Sequence, residues 1–355
     1  MAILWINLIV VYIASFFSRN FSYPLAVEVP FIKPNKLLIF ICMASLVLVS
    51  GLRDTIGDTY AYMQSYVNGD HSLQNIDYTG DFGFNIFQSL LFSISEDPQL
   101  LIFTTALITN VLIVLTLYKY SRVIEISLYV YITSGMYIVS MNGIRQFLAA
   151  AIIFSVTKYI LNGDWKKYLL VVLIASTFHK TALILIPIYF IVRRKAWTKD
   201  TLILLFVGVI ITAGFNQFYD LLFTVIGDSQ YSNYENYSDG GSSVLRVVVN
   251  SVPLVIAYMG RDKLRSLWPK SDYIVNLSLL GTLFLIIATQ NWIFARFNIY
   301  FGLYNLILIS WIFKLYSKRN SRLIYFTLIV CYFLYFYYEQ VMSMGLFYRS
   351  PFLNW

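Results

Sequence analysis

Apolar residues in this chain come in long, nearly charge-free runs rather than in the one-sided stripes of soluble helices. They fall at 3–18, 37–51, 99–118, 124–141, 145–161, 168–178, 180–192, 201–219, 244–260, 273–290, 297–313 and 323–339. Runs of this kind read as membrane-spanning helices. The expected fold class is an all-α polytopic membrane protein, one transmembrane domain over residues 1–355 with about twelve spans. The runs 168–178 and 180–192 are each short for a bilayer and together pass for one long helix.

Charge placement decides between one span and two. With both termini outside and every run crossing, the inner segments hold 20 of the 26 Lys and Arg and six of the 18 acidic residues, a net +14. The outer segments hold only Arg53, Arg145, Lys180, Arg246, Arg296 and Arg349 against twelve acidic residues, a net −6. Cytoplasmic loops are the basic ones. Merging the two short runs would move Arg193 to Lys199 outward and spoil this bias, so twelve spans are expected.

Two outer segments exceed a turn. Residues 51–98 contain "DFGFNIFQSLLFSIS", whose Phe82, Phe84, Ile86, Phe87, Leu90, Leu91 and Ile94 predict an amphipathic helix lying in the interface. Residues 220–243, rich in Tyr, Ser, Asn and Gly, read as a flexible loop, with a mobile lid as the second reading. The first run lacks a basic leader and a cleavage site and is expected to stay as a span.

Composition agrees: 59% hydrophobic and 12% charged residues, with a mean hydropathy of +0.67, exceed what a water-soluble core of this size can hide. The net charge of +8 is scattered in small groups, which argues against a nucleic-acid partner. Cys42 and Cys331 each sit inside an apolar run and read as small hydrophobes. Aromatic residues, 18% of the chain, crowd the outer ends of spans, where belt and packing roles lead and sugar stacking is the functional alternative.

Four outer boundaries carry polar groups that lipid would exclude: "GLRDTIGDTYAY" from Gly51, "MNGIRQFLAA" from Met141, "STFHKTA" from Ser176 and "NWIFARFNIYF" from Asn291. Arg145 opens a span at a helix amino terminus, where the macrodipole disfavours a cation, so an anion is expected to compensate it. A guanidinium fork beside the open N–H groups of a helix start suits a diphosphate. Snorkelling, or a pair with Asp54 or Asp58, is the plain alternative. The same reasoning applies to Arg296, while Arg53 is evenly divided between a phosphate role and a local pair with Asp54. His179, at the tip between the two short runs, is a candidate proton acceptor or a structural histidine. Asp58, in a turn with Gly57, Thr59 and Tyr60, is the other candidate base. His71 gets no role. No metal or nucleotide motif is present, and a divalent cation shared by Asp54 and Asp58 is a weak option.

Taken in order and spacing, "GLRDTIGDTYAYMQSY", "DFGFNIFQSLL", "MNGIRQFLAAAIIF" and "STFHKTALILIPIYF" resemble the EpsG family of bacterial exopolysaccharide proteins, grouped with Wzy-like polymerases. The likeness is strong from about Leu46 to Arg194 and weaker through "ARFNIYF". It places Arg53, Gly57 and Asp58, then Arg145 and Gln146, His179 and Arg296, on the family's motif positions; Thr181 stands where Ser is frequent. Asn142, Tyr60, Asp54 and Gln146 are expected to support substrate binding.

What the resemblance implies is a GT-C-like scaffold and a polymerase of the bacterial cytoplasmic membrane. Its substrate would be oligosaccharide repeat units on polyprenyl diphosphate, joined at the outer face for capsule or biofilm matrix. Arg145 and Arg296, with Arg53 in support, would hold the departing diphosphate without a metal, and His179 or Asp58 would take the acceptor proton. Expected partners are membrane lipid, the lipid-linked glycan, and assembly proteins such as a flippase and a chain-length regulator. A flippase or export channel is the alternative, although its ionisable residues belong deep in the spans. An acyltransferase would need inner-face donor motifs that are not seen.

Overall fold

In the computed structural model, which describes residues 1–22, 33–76, 78, 80–217, 219 and 240–353, the apolar runs are helical and the described residues contain no β-strand. The first run is α1 (Ala2–Asn20) and the second α2 (Lys36–Gly51), capped by Asn35, whose Oδ1 accepts the N–H groups of Leu37 and Leu38. The first outer segment supplies α3 (Thr59–Asn68) and α4 (Phe82–Phe92). Then come α5 (Gln99–Tyr120), α6 (Ile124–Thr133), α7 (Met136–Asn142), α8 (Ile144–Ser155), α9 (Thr157–Asn162) and α10 (Trp165–Phe178). A 3₁₀ turn (Lys180–Ile184) leads into α11 (Leu185–Val192), followed by α12 (Lys199–Ala213). The remainder is α13 (Val244–Met259), α14 (Arg261–Leu267), α15 (Ser271–Ala288), a 3₁₀ turn (Trp292–Phe297), α16 (Asn298–Trp311) and α17 (Lys318–Phe336).

By length and hydropathy, five helical stretches among the described residues can cross a bilayer. They are Ala2–Asn20, Gln99–Tyr120, Ser271–Ala288, Trp292–Lys314 and Arg319–Ser343. Counting each of two bent pairs as one span makes seven: α6 with α7, bent by 54°, and α13 with α14, bent by 80°. Several of the remaining expected runs form helices too short to pass alone. At 1.5 Å per residue, the 14 residues of α10 reach only about 21 Å. The second long outer segment lies almost wholly outside the described residues.

All ten residues of α6 are buried, as are Ile299 to Trp311 of α16, so these two helices lie at the centre. Phe284 of α15 stacks on Phe301 of α16 with centroids 5.5 Å apart. At the periphery the apolar faces turn outward: Ile6, Ile9 and Ile13 on α1, and Leu202, Ile203, Phe206, Val209 and Ile210 on α12, are all exposed. Helices apolar on the outside as well as the inside belong in lipid.

The two short runs form a hairpin. Tyr168 and Tyr189, about equally far from His179 on either side, have ring centroids 5.1 Å apart. A Cβ on Gly163 would lie 2.5 Å from Arg193 Nη1, so the far ends of α10 and α11 also meet. The chain therefore reverses at His179, in extended backbone at φ −158° and ψ 115°.

Contacts between loops sort into two rims. On one, Arg19 pairs with Glu125 at 2.7 Å, Lys270 donates to Asn162, Arg265 donates to the Ala196 carbonyl and Asn276 to that of Arg194. On the other, Arg349 pairs with Asp54, Arg246 with Glu339, the Asp58 N–H donates to Asn142 and the Ser242 N–H to the Ala288 carbonyl. Each contact joins segments that the charge bias assigns to the same side.

Candidate active site

Asp81, immediately before α4, brings the distant motifs together. Its side chain does not cap its own helix. Instead Oδ2 accepts from Arg145 Nη1 at 3.1 Å and lies 3.0 Å from His179 Nδ1, and Oδ1 accepts the Lys180 N–H at 3.1 Å. The carboxylate is 3% exposed, the His179 side chain 11% and the Arg145 side chain 41%, so the cluster opens to the surface through Arg145.

Helix α4 delivers Asp81 by lying close across the hairpin tip. A Cβ on Gly83 would fall 2.1 Å from Thr177 Oγ1, a contact that only glycine permits. Phe87 meets Phe178 edge-on at 6.2 Å. The apolar face expected to lie in the interface is therefore shared: Phe84 and Leu91 are buried against the protein, while Leu90 and Ile94 are exposed.

Burial alone would raise the Asp81 carboxyl. The His179 hydrogen bond, the charges of His179 and Arg145 and the Lys180 N–H together outweigh it and hold the group below the usual carboxylate range. The anion can thus fix the orientation of the His179 ring through Nδ1.

Arg145, the second residue of α8, sits with its guanidinium 5.8 Å from the Tyr62 ring centroid and 5.9 Å from that of Phe84. Gln146 Nε2 donates to Thr181 Oγ1 at 3.3 Å and to the Arg296 carbonyl at 3.0 Å. Thr181 Oγ1 in turn lies 2.9 Å from the Tyr300 hydroxyl. One buried amide thus ties α8, the hairpin tip and the turn bearing Arg296, whose guanidinium lies 5.4 Å from the Trp292 ring centroid. The "MNGIRQ", "STFHKTA" and "ARFNIYF" stations are joined in this way.

Arg53 makes a separate set of bonds. It is 1% exposed, donates from Nε to Thr59 Oγ1 at 3.0 Å, and spends its other nitrogens on Ser50 and on the Met141 carbonyl. Burial pushes its pKa down to about 10, which leaves it charged at neutral pH. It fastens the end of α2 to the end of α7 rather than facing the surface. The pair considered for it goes to another partner: Asp54 binds Arg349, with Arg349 Nε 2.8 Å from Asp54 Oδ2.

Asp58 is exposed, and its N–H donates to Asn142 Oδ1 at 2.9 Å. Gly57 beside it, at φ +53°, packs so closely that a Cβ would lie 2.1 Å from that oxygen. Tyr60 is 69% exposed. Asp58 and Tyr60 share the rim with the Asp81 cluster, but the bonds that gather on the Asp81 carboxylate come from Arg145, His179 and Lys180 instead. No grouping of three His, Cys, Asp or Glu suited to a metal occurs among the described residues.

Asp81 is not among the candidate residues that the sequence singles out. The signal was present in "DFGFN": an acidic residue before an apolar-faced helix, on the rim that holds the motif arginines.

Fold and site together define a multi-pass helical membrane protein with an Asp–His–Arg cluster at the rim opposite its basic loops. Within that class the chain belongs to the EpsG family, whose model matches residues 36–350. No curated protein and no solved structure matches it. Family membership suggests an exopolysaccharide polymerase-like role.

Proposed function

We propose that this protein joins oligosaccharide repeat units carried on polyprenyl diphosphate, at the outer face of the bacterial cytoplasmic membrane. On this reading the chain crosses twelve times with both termini outside, and the segregation of loop contacts into two rims supports that topology. The observation that carries the reading is the shared carboxylate of Asp81, which gathers a histidine and an arginine onto the rim away from the basic loops.

The acceptor hydroxyl gives its proton to His179 Nε2 as its oxygen bonds to the anomeric carbon of the donor sugar. The bond from that carbon to the diphosphate breaks, and its electron pair leaves with the phosphate oxygen. Arg145 and Arg296 stabilise the charge that builds there. Asp81 orients the histidine and stabilises its protonated form, as the carboxylate of a hydrolase triad does. Arg53 acts as a positioning residue behind the α7–α8 turn. His179 is preferred to Asp58 as the base because Asp81 orients it.

Purified protein in proteoliposomes, given lipid-diphosphate oligosaccharide, should yield longer glycans and released lipid diphosphate. Movement of the lipid-linked unit across the bilayer without elongation would instead identify a flippase.

A further inference from the structure

Helix α3 turns two unlike faces to its surroundings. Tyr62, Met63 and Tyr66 pack inward, around Phe84, Leu101 and Ile102. Outward, Tyr60, Gln64 and Asn68 stand four residues apart and are joined in series. Gln64 Nε2 donates to the Tyr60 hydroxyl at 3.2 Å, and Asn68 Nδ2 donates to Gln64 Oε1 at 2.9 Å. All three lie on the open side of the helix, with Tyr60 and Asn68 exposed. From Thr59 to Asn68 the helix has no charged residue, whereas water-facing helices are ordinarily laced with Lys and Glu.

An exposed aromatic ring followed by two amides suits a sugar chain. The ring offers an apolar face to the C–H side of a pyranose, and each amide keeps both donor and acceptor capacity for neighbouring hydroxyls. Because the side chains already hold one another, less rotamer freedom is lost when a ligand lands on them. The ladder runs about 12 Å along the helix. Its first residue lies two positions after Asp58, whose N–H is held by Asn142 from the turn that carries Arg145, and Tyr62 on the adjacent face meets the Arg145 guanidinium.

We propose that Tyr60, Gln64 and Asn68 form a glycan subsite that holds the polysaccharide chain beside the reaction centre. The proposal rests on the polymerase reading for the identity of the ligand. It assigns Gln64 and Asn68 a role in binding sugar hydroxyls and Tyr60 a stacking role.

The test uses full-length protein in detergent and, as probe, lipid-free oligosaccharides cut from the exopolysaccharide of cells expressing the wild-type chain. Binding is measured by calorimetry on wild type and on His179→Ala, which removes turnover. Both should bind. In the His179→Ala background, Gln64→Ala with Asn68→Ala should weaken binding about tenfold, and Tyr60→Ala should weaken it similarly. Ser65→Ala, exposed on the same helix but off the ladder, should bind as its parent does, and matched helical circular dichroism and melting temperatures of the ladder variants separate lost binding from lost fold. Unchanged affinity in the double variant, or no binding by wild type, overturns the subsite. Elongation by wild type is scored separately. Failure to elongate with ladder-dependent binding intact sinks the polymerase reading and leaves the subsite standing.

Discussion

His179 Nδ1 lies 3.0 Å from Asp81 Oδ2, although 98 residues separate the two in the chain. The bond joins the tip of the α10–α11 hairpin to the start of α4. Arg145 donates to the same oxygen, so one carboxylate positions both the imidazole ring and the cation beside it.

Asp81→Asn keeps an acceptor for the Lys180 N–H and removes the charge. Turnover is expected to fall by about 10²–10⁴, the span from loss of one stabilising donor to loss of an orienting carboxylate. Initial rates at matched amounts of folded protein check this. A rate within about threefold of wild type contradicts an orienting role.

Arg145→Lys preserves the positive charge and loses the planar fork that grips two phosphate oxygens. Elongation is expected to drop about 100-fold while the protein purifies in normal yield. Near-normal polymer from this variant would reduce Arg145 to a structural partner of Asp81.

The depressed Asp81 pKa carries a pH signature. The unfolded chain holds its proton on Asp81 more tightly than the folded one does, so the cluster stabilises the fold above the ordinary carboxylate range. That contribution disappears as pH falls through the lower folded-state value. Thermal unfolding of wild type and Asp81→Asn in detergent should therefore differ at about pH 6 and converge as pH falls below the ordinary carboxylate range. A constant gap would mean that the Asp81 charge adds no stability.

Two glycines at the site give opposite outcomes. Gly57 has φ +53°, and a Cβ would strike Asn142 Oδ1, so Gly57→Ala should destabilise by more than about 1 kcal/mol and loosen the Asp58 turn. Gly143, next to Asn142, has φ −89°, and a methyl group there would meet nothing within 4 Å, so Gly143→Ala should stay within about 0.5 kcal/mol. Melting temperatures of the two variants decide the point.

The hairpin was legible in the sequence because charge bias depends on which side a loop lies, and Arg193 to Lys199 could sit inside only if the chain turned back at His179. The cations of the site were legible because isolated Arg side chains among apolar runs are costly in lipid. Their partners were not. Asp81 reaches Arg145 and His179 only through the close approach of α4 to α10 at Gly83 and Thr177, a tertiary contact that leaves no periodic trace. Arg53 appeared as exposed as Arg145 in a one-dimensional reading, and only the fold shows its donors turned onto the Ser50 and Met141 carbonyls. Helix lengths were also hidden, since breaks such as that between α6 and α7 fall inside apolar runs.

The most direct measurement is the stoichiometry of transfer in proteoliposomes with lipid-diphosphate oligosaccharide supplied from the outer side. One lipid diphosphate should be released for each repeat unit joined, and Asp81→Asn should slow both together by the same factor. Repeat units joined without release of diphosphate, or no joining from that side, would contradict a diphosphate-displacing polymerase with its site on the outer rim.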